Sequence, residues 1–387
     1  MTTTPRPLEG IRVVSLAEQY PGPFATLLLG DLGADVVQVE RPGGGDPSRA
    51  FPGFYEALNR GKRSVTLDLK APEGLDACRR LIEGADVLLE GFRPGVMARL
   101  DLGPDEILAT HPDLVYVSVS GFGQDGPLRD HPAHDLSFQA LAGLLDPQTP
   151  AGPQLPLLSL ADLSAGVFAA LAALTGLVGG SRHGRGGHYD VAMFDSLLTF
   201  VAARLVPLVN GNSKHTLGLD PGYGLFATAD GRWISLSIAF EDHFWRALCE
   251  VLDLPAFGEL NGEQRVEQRR HLRAAVAERI VGHPADHWEK VLSSSGVPYG
   301  AVNQLDDLLD LPQVRARDIL QTLDTADGER IFARQPMVVD GASLGPRRGA
   351  PRLGEHTAEV LLEIGMDPVV VNRLLDADAT DVPKTQS

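Results

Sequence analysis

Asp162 is the first residue whose type and position suggest chemistry. It stands directly before an apolar, alanine-rich run (LSAGVFAALAALTGLV), where the N-cap of a helix is expected. A carboxylate at that position stabilises a helix by accepting backbone N–H bonds. The same N–H groups and the positive end of the helix can instead hold a carboxylate as a nucleophile, or stabilise negative charge on a reacting oxygen. The local pattern leaves both interpretations open.

Two further polar residues stand near predicted helix starts. His134 precedes an apolar helical run (HDLSFQALAGLL), and Glu241 follows a predicted strand, 233–238, in the segment SIAFEDHFW. Capping explains the histidine, and the helix dipole favours an acidic residue in the first turn of a helix. Neither residue, considered alone, indicates catalysis.

Basic residues cluster in the N-terminal part of the chain. They are Arg41, Arg49, Arg60, Lys62, Arg63, Lys70 and Arg93. Several of them lie in the loops NRGKR and RPG, each beside a predicted strand. Loops at strand ends are where open α/β sheets bind anionic ligands. A solvated surface is the alternative interpretation for most of these side chains.

The overall composition restricts the classes of partner and of site. The chain has 387 residues, a formal net charge of −17 and two cysteines. Such an acidic protein is not expected to bind nucleic acid or an anionic membrane, and two distant cysteines suggest neither disulfides nor a metal site. The N-terminus lacks the pattern of a signal peptide. The longest apolar run is expected to stop at Gly179-Gly180, short of a membrane span, so we expect a cytoplasmic protein.

Strand-like and helix-like segments alternate in the first part of the chain. Strands are predicted at 11–16, 34–40, 64–69, 86–90 and 113–120, with helices at 24–32 and 72–83. This alternation indicates parallel βαβ units, and therefore an α/β fold with an open sheet and helices on both faces. A long apolar helix is expected at 163–178. A polar, glycine-rich loop at 182–189 and a helical run at 190–207 follow it.

The second part of the chain has a different pattern. Asp230-Gly231 lies between two apolar runs and predicts a hairpin. Helical patterns follow at 244–252, 265–281 and 286–293. A chain of this length is expected to form more than one unit. We therefore predict a large α/β domain over 1–221, a smaller α+β domain over 222–325, and a segment, 326–387, that returns to the large domain.

Several long segments, in order along nearly the whole chain, resemble the family III coenzyme A transferases (CaiB/BaiF type) and their racemase relatives. The matching segments are PLEGIRVVSLAEQYPGPFATLLLGDLGADVVQVERPGGGDPSR, NRGKRSVTLDLKAPEG, DVLLEGFRPGVMARLDLG, VSVSGFGQDGP, GRGGHYDVAMFDSLL and APRLGEHTAEVL. The resemblance implies a Rossmann-like large domain, a small domain and an interlocked homodimer. It implies an acyl-CoA thioester as substrate, and no permanently bound cofactor or metal. It makes Arg41, Lys62, Arg63 and Arg93 the candidates for binding the CoA phosphates.

Within this superfamily the chain is most similar to the α-methylacyl-CoA racemases. It has their histidine, His134 in AHDLSFQALAG, and their glutamate, Glu241 in ADGRWISLSIAFED, in addition to Asp162. This resemblance implies racemisation of 2-methyl-branched acyl-CoA through an enolate, with His134 and Asp162 as base and acid on opposite faces. Glu241 would hydrogen-bond His134, and backbone N–H groups of the helix after Asp162 would meet the enolate oxygen.

Two departures from the racemase pattern keep CoA transfer as the alternative. Ala133 stands where the racemases have glycine, and NRGKRSVTLDLK is more similar to the transferase version. In a transferase, Asp162 attacks the thioester as a nucleophile, and CoA moves to a free carboxylate through an aspartyl-CoA thioester. A third interpretation, a catalytically silent CoA-binding homologue, conflicts with the joint presence of Asp162, His134 and Glu241.

Overall fold

The structure is a computed structural model, and it describes residues 6–146, 152–211 and 220–380, the last four of these by their backbone alone. The chain forms two compact units, one of residues 1–203 with 318–387 and the other of residues 204–317. The predicted domain boundaries, 222 and 325, differ from this division. The strand Leu320–Thr325, for example, was predicted in the smaller domain and belongs to the first unit.

A six-stranded parallel sheet forms the centre of the first unit. Its strands are β1 (Arg12–Leu16), β2 (Asp35–Glu40), β3 (Arg63–Thr66), β4 (Val87–Glu90), β5 (Val115–Ser120) and β6 (Gly187–Ala192). Their order is β3-β2-β1-β4-β5-β6, with every neighbouring pair parallel. This is the strand order of the Rossmann fold, and it reverses between β1 and β4. The predicted α/β fold with a Rossmann-like sheet is confirmed.

The prediction missed β6, which occupies part of the expected glycine-rich loop and of the helical run after it. The strand lies at the edge of the sheet beside β5, and the side chains of its first half alternate between partly buried and exposed. An edge strand needs no continuous apolar run. Its short polar sequence, GHYDVA, is therefore difficult to distinguish from a loop.

Helices cover both faces of this sheet. Along the chain, the helices that come before the second unit are α1 (Pro21–Asp31), α2 (Pro52–Asn59), α3 (Pro72–Glu83), α4 (Val96–Arg99), α5 (Pro104–Thr110), α6 (Asp135–Leu141), α7 (Leu160–His183) and α8 (Met193–Phe200); α9 (Ala202–Val209) follows, and most of it belongs to the second unit. Apolar side chains of α1 and α7 form the core on one face. Those of α3 and α5 form the core on the other face, together with two C-terminal helices.

Helix α7 is longer than predicted. It begins at Leu160, continues through Gly179-Gly180, and ends at Gly184, whose φ of 70° is left-handed. It has the length and composition of a membrane-spanning helix, contrary to the prediction, although core helices of water-soluble proteins meet the same two criteria. Buried alanines along α7, such as Ala165 and Ala169, pack in the core with α1 and with the sheet. Its position therefore fits a core helix that carries Asp162 at its start.

The second unit contains a three-stranded sheet and helices. Its elements are β7 (Tyr223–Ala227), β8 (Trp233–Ser237), α10 (Asp242–Val251), α11 (Gly262–Glu267), α12 (Arg269–Ile280), α13 (Ala285–Ser294), β9 (Tyr299–Ala301) and α14 (Pro312–Ala316). The antiparallel pairing of β7 with β8 confirms the hairpin at Asp230-Gly231. The single helix predicted at 265–281 is divided into α11 and α12.

The C-terminal segment belongs to the first unit. Its elements are β10 (Leu320–Thr325), β11 (Gly328–Ala333), β12 (Val338–Val339), β13 (Ala342–Ser343), α15 (Thr357–Glu363) and α16 (Pro368–Thr380). The start of α15 is bonded to β3: the His356 N–H donates to Ser64 O over 2.9 Å, and the Thr66 N–H donates to Thr357 Oγ1 over 3.0 Å. These bonds fix the end of the chain to the edge of the parallel sheet.

Candidate active site

A cavity of about 450 Å³ lies in the first unit, at the point where the strand order reverses. Its walls include the loop after β1 (residues 17–19), the loop after β4 (residues 91–94) and the end of β5 with the residue that follows (residues 119–121). In open α/β sheets, ligands bind outside the carboxyl ends of the strands at this reversal. We refer to this space as the switch-point cavity.

A second space, of about 420 Å³, adjoins the first. The two share four lining residues: Gln19, Pro21, His134 and Asp162. Four leucines, Leu136, Leu155, Leu157 and Leu158, line only the second space, and we refer to it as the leucine cavity. Asp162 and His134, predicted from separate segments of the sequence, therefore border the same two cavities.

Asp162 is not the N-cap of its helix, contrary to the prediction. Ser159 occupies the cap position, and Asp162 lies in the first turn of α7. The capping bonds come from Asp135, whose Oδ1 accepts the N–H of Ala161 over 2.7 Å and that of Asp162 over 3.4 Å. The Asp162 carboxylate is consequently not needed for capping and borders both cavities.

The environment of Asp162 makes its ionised form costly. Burial raises the pKa of the Asp162 carboxyl to about 7, with a further contribution from the negative charge of Asp135. Desolvation is the larger of the two causes. A carboxyl with this pKa is present in both protonation states near neutral pH. It can therefore act as a nucleophile when ionised or as an acid when protonated.

His134 and Tyr20 are the other groups beside Asp162 that can exchange protons. His134 occupies the N-cap position of α6 but makes no capping bond with its side chain, and it is exposed. Tyr20 lines the leucine cavity. Burial, and then the charges of Asp162 and Asp135, raise the pKa of its phenol. Tyr20 thus remains a hydrogen-bond donor over a wide pH range.

Glu241 lies in the second unit, at the N-cap of α10. Its Oε2 accepts the backbone N–H groups of Ala239 and Phe240, each over 3.0 Å. These bonds to the backbone lower the pKa of the Glu241 carboxyl. The local structure accounts for the glutamate by its own backbone bonds, and the predicted hydrogen bond from Glu241 to His134 stays a prediction.

Two of the four candidates for binding CoA phosphates have structural roles. Lys62 is buried, and its Nζ donates to Pro23 O over 2.9 Å and to Asn59 Oδ1 over 2.8 Å. Burial lowers the pKa of its ammonium group to about 7. Arg63 is buried as well, in ion pairs with carboxylates of β2 and α15: Asp35, Glu359 and Glu363. The Lys62 ammonium group is bonded inside the protein and the Arg63 guanidinium is already paired with carboxylates, so the local structure does not support phosphate binding by either residue, and that role stays a prediction.

The remaining two candidates differ in position. Arg93 is exposed and lines the switch-point cavity. Arg41 is exposed, but its Nε donates to Gly45 O over 3.0 Å and it is not a lining residue of either cavity. The sequence analysis missed Arg129, which lines the switch-point cavity with Arg93. Two cations therefore border this cavity, and sequence position alone had no signal for the second.

The sequence analysis also missed Gln19, which borders both cavities. Its φ of 68° is left-handed, a conformation that is uncommon for a residue other than glycine. The buried carboxylate of Asp46 holds this strained turn, because its two oxygens each accept the Gln19 N–H over 3.1 Å. Strained backbone that neighbouring bonds maintain in this way clusters at active sites and ligand-binding segments.

Gly22 permits the close approach of α1 to the loop after β1. A Cβ atom at this position would lie 2.1 Å from the Cβ of Ala17. Both residues line the switch-point cavity, so the absence of a side chain at Gly22 shapes one of its walls.

Within the described residues, no group of three histidine, cysteine, aspartate or glutamate side chains is arranged to hold a metal ion. The cations that border the switch-point cavity suit an anionic substrate such as a phosphorylated thiol ester. The arrangement therefore places Asp162, a carboxylate of raised pKa, beside a cavity that two arginines border.

Comparison with known proteins supports, over most of the chain, the family resemblance seen in the sequence. Residues 8–357 match the model of CoA-transferase family III. The chain is 33% identical to a succinate–glutarate CoA-transferase of Agrobacterium fabrum, over 92% of this chain and 96% of the relative. It is also 33% identical to an acetyl-CoA:oxalate CoA-transferase of Acetobacter aceti, over 92% and 95%. A solved CAIB/BAIF family protein from Brucella suis superposes with a TM-score of 0.80 at 30% identity, covering 93% of this chain and 100% of the other.

Proposed function

The chain belongs to CoA-transferase family III, and from this we propose that it transfers coenzyme A from an acyl-CoA thioester to a free carboxylate through Asp162. The observation that carries the proposal is the position of the Asp162 carboxylate. Asp135 caps α7 in its place, and Asp162 borders two adjoining cavities. The compared relatives are named as CoA-transferases, which favours transfer over the racemase activity predicted first.

Ionised Asp162 begins the reaction by attacking the carbonyl carbon of the donor thioester. The C–S bond breaks, CoA leaves as a thiolate, and an acyl–aspartyl anhydride remains on Asp162. The thiolate then attacks the aspartyl carbonyl, which releases the donor acid as a carboxylate and forms an aspartyl-CoA thioester. Attack by the acceptor carboxylate and return of the thiolate to the new acyl carbon give the product acyl-CoA and regenerate Asp162.

The switch-point cavity suits the anionic CoA portion of the substrate. Arg93 and Arg129 border the switch-point cavity, where they can neutralise the anionic CoA portion.

The first N–H groups of α7 are already occupied: Asp135 accepts those of Ala161 and Asp162, and Ser159 O accepts that of Leu163 over 3.0 Å. Stabilisation of an oxyanion by these N–H groups, which the racemase interpretation required, is therefore not part of the proposed mechanism.

Racemisation is retained as a second candidate because His134 and Asp162 border the same two cavities. In that reaction His134 would remove the α-proton of the thioester, and protonated Asp162 would return a proton to the opposite face. The raised pKa of the Asp162 carboxyl is compatible with either role. Proton exchange at the α-carbon distinguishes the two reactions, because CoA transfer leaves that C–H bond intact.

A trapping experiment tests the proposal directly. The protein is incubated with acyl-CoA and hydroxylamine, and the peptide that contains Asp162 is analysed by mass spectrometry. We expect a hydroxamate at Asp162 in the wild type and in Asp105→Asn, a control that removes an exposed carboxylate of α5 that lines neither cavity. Asp162→Asn should give none and should lose CoA transfer. Deuterium entering at the α-carbon in heavy water with loss of configuration, without CoA transfer, would establish racemisation instead.

We also propose that the chain forms a homodimer and works in the cytoplasm. The exposed apolar side chains on α7, Val167, Leu171 and Val178, support a partner for this surface. Light scattering coupled to size-exclusion chromatography would give the molar mass in solution. A monomeric mass at micromolar concentration would exclude the dimer.

A further inference from the structure

The two cavities that meet at Asp162 differ in chemical character. The switch-point cavity is bordered by Arg93 and Arg129, together with the carboxylates of Glu18, Asp130 and the shared Asp162. The leucine cavity has two carboxylates, Asp135 and Asp162. Among the described residues that line the leucine cavity there is neither lysine nor arginine. The substrate groups that these two spaces can accept must therefore differ.

The leucine cavity presents apolar surface to the solvent. Leu136, Leu155, Leu157 and Leu158 are exposed by 43%, 82%, 89% and 59%, respectively. Four neighbouring exposed leucines beside a reactive carboxylate form an apolar patch of the kind that marks a binding site. The volume, about 420 Å³, is within the range of small-molecule sites.

The charges of the leucine cavity disfavour a second carboxylate on the substrate. A carboxylate that enters it loses hydration and lies near Asp135 and ionised Asp162. Among the described residues that line this cavity, His134 is the one whose side chain can carry a positive charge. An uncharged alkyl or aromatic chain loses no hydration of a charge and is not repelled by these carboxylates. Its binding is favoured because it removes the apolar surface of the leucines from water.

We propose that the leucine cavity binds the acyl chain of the substrate, and that this chain is apolar and uncharged, so that the acid is a monocarboxylate and not a short dicarboxylate. The inference rests on the proposed function only in taking Asp162 as the point where the acyl carbonyl is attacked. The two relatives compared above are named for dicarboxylates (succinate, glutarate and oxalate). The proposal therefore gives this chain a substrate class different from theirs.

Matched pairs of ligands test this specificity. Thioether analogues of hexanoyl-CoA and adipyl-CoA have the same chain length and differ in one terminal carboxylate, and they bind without reacting. We expect the hexanoyl analogue to bind the wild type at least about tenfold more tightly at pH 8. The same ratio should appear in kcat/KM when hexanoyl-CoA and adipyl-CoA are the CoA donors.

Variants of an exposed leucine locate the effect. Leu157→Arg places a cation in the leucine cavity and should reduce or invert the preference, whereas Leu157→Met should retain it. Leu362→Arg is the matched control, because Leu362 is an exposed leucine of α15 that lines neither cavity. It should bind both analogues as the wild type does.

The two measurements separate the two proposals. Equal or tighter binding of the adipyl analogue by the wild type, or an unchanged ratio in Leu157→Arg, would overturn the assignment of the leucine cavity. A clear preference for the hexanoyl analogue without CoA transfer, and without a hydroxamate at Asp162, would instead reject the proposed function and leave the cavity assignment intact. Binding of thioethers does not depend on which reaction follows.

Discussion

Replacing Asp162 with asparagine should stabilise the folded protein, and more strongly at pH 8 than at pH 5. The Asp162 carboxyl has a pKa raised from 3.8 to about 7 in the folded state, chiefly by burial. A raised pKa means that the folded protein binds the proton more tightly than the unfolded chain does. The stability that this proton supplies is therefore complete below pH 3.8 and is lost as the pH rises through 7.

The difference between the two pKa values sets the magnitude. About three pH units correspond to about 4 kcal/mol of lost stability above pH 7, and to about 2 kcal/mol at pH 5, where the unfolded chain is ionised and the folded protein is not. The helix dipole opposes this cost by at most about 1 kcal/mol in the first turn of α7. Desolvation therefore prevails, and Asp162→Asn should gain about 2 kcal/mol more at pH 8 than at pH 5.

Urea denaturation of the wild type and Asp162→Asn at the two pH values measures this difference. Asp105→Asn is the control, because Asp105 is an exposed carboxylate in the first turn of α5 and should have the same small effect at both pH values. An equal stability change for Asp162→Asn at pH 5 and pH 8 would refute the claim that burial perturbs this carboxyl. It would also remove the basis for its dual protonation near neutral pH.

Three further predictions concern other residues of the chain. Asp135→Asn keeps an acceptor for the helix N–H groups but removes a charge, so the pKa of Asp162 should fall and the acidic limb of the kcat/KM profile should move to lower pH. Gly22→Ala should cost stability and most of the activity, because its Cβ meets another only 2.1 Å away; thermal unfolding and kcat/KM measure both. Arg265→Met leaves its buried partner Asp220 unpaired and should destabilise the protein by about 3–5 kcal/mol in urea denaturation.

Each of these three has an outcome that contradicts it. An unmoved pH profile in Asp135→Asn would mean that the charge of Asp135 does not reach Asp162. If Gly22→Ala is as stable as the wild type, the wall of the switch-point cavity can move to accommodate the added Cβ at little cost in free energy. If Arg265→Met unfolds at the same urea concentration as the wild type, the ion pair with Asp220 contributes nothing.

The parallel sheet was predictable because its inner strands are buried on both faces and consist mostly of β-branched and other apolar residues. The segments VVSL of β1 and VYVSVS of β5 have this character. Burial on both faces removes the need for polar alternation. The edge strand β6 lacks that constraint, which explains why it was predicted partly as a loop and partly as the start of a helix. Local pattern thus locates the centre of the sheet better than its edge.

The residues of the site were predictable by type but not by role. Asp162 was predicted at the N-cap position of α7, where capping and catalysis were both open, yet the cap comes from Asp135, which lies 27 residues earlier in the chain. Lys62 was expected to bind phosphate, yet its ammonium group is bonded inside the protein. Capping by a distant side chain and burial of a cation are both tertiary effects. Neither leaves a signal in the neighbouring sequence.

Asp135, and not Asp162, caps α7, and this indicates why the protein retains at position 162 a carboxylate whose ionisation lowers the stability of the fold. A helix cap contributes about 1 kcal/mol, and Asp135 alone supplies it by accepting the N–H groups of Ala161 and Asp162. Asp162 adds nothing to that cap and opposes folding by several times as much at neutral pH. A residue that costs stability and satisfies no structural need is expected where chemistry requires it. The energetic balance therefore supports a catalytic Asp162 independently of any resemblance to other proteins.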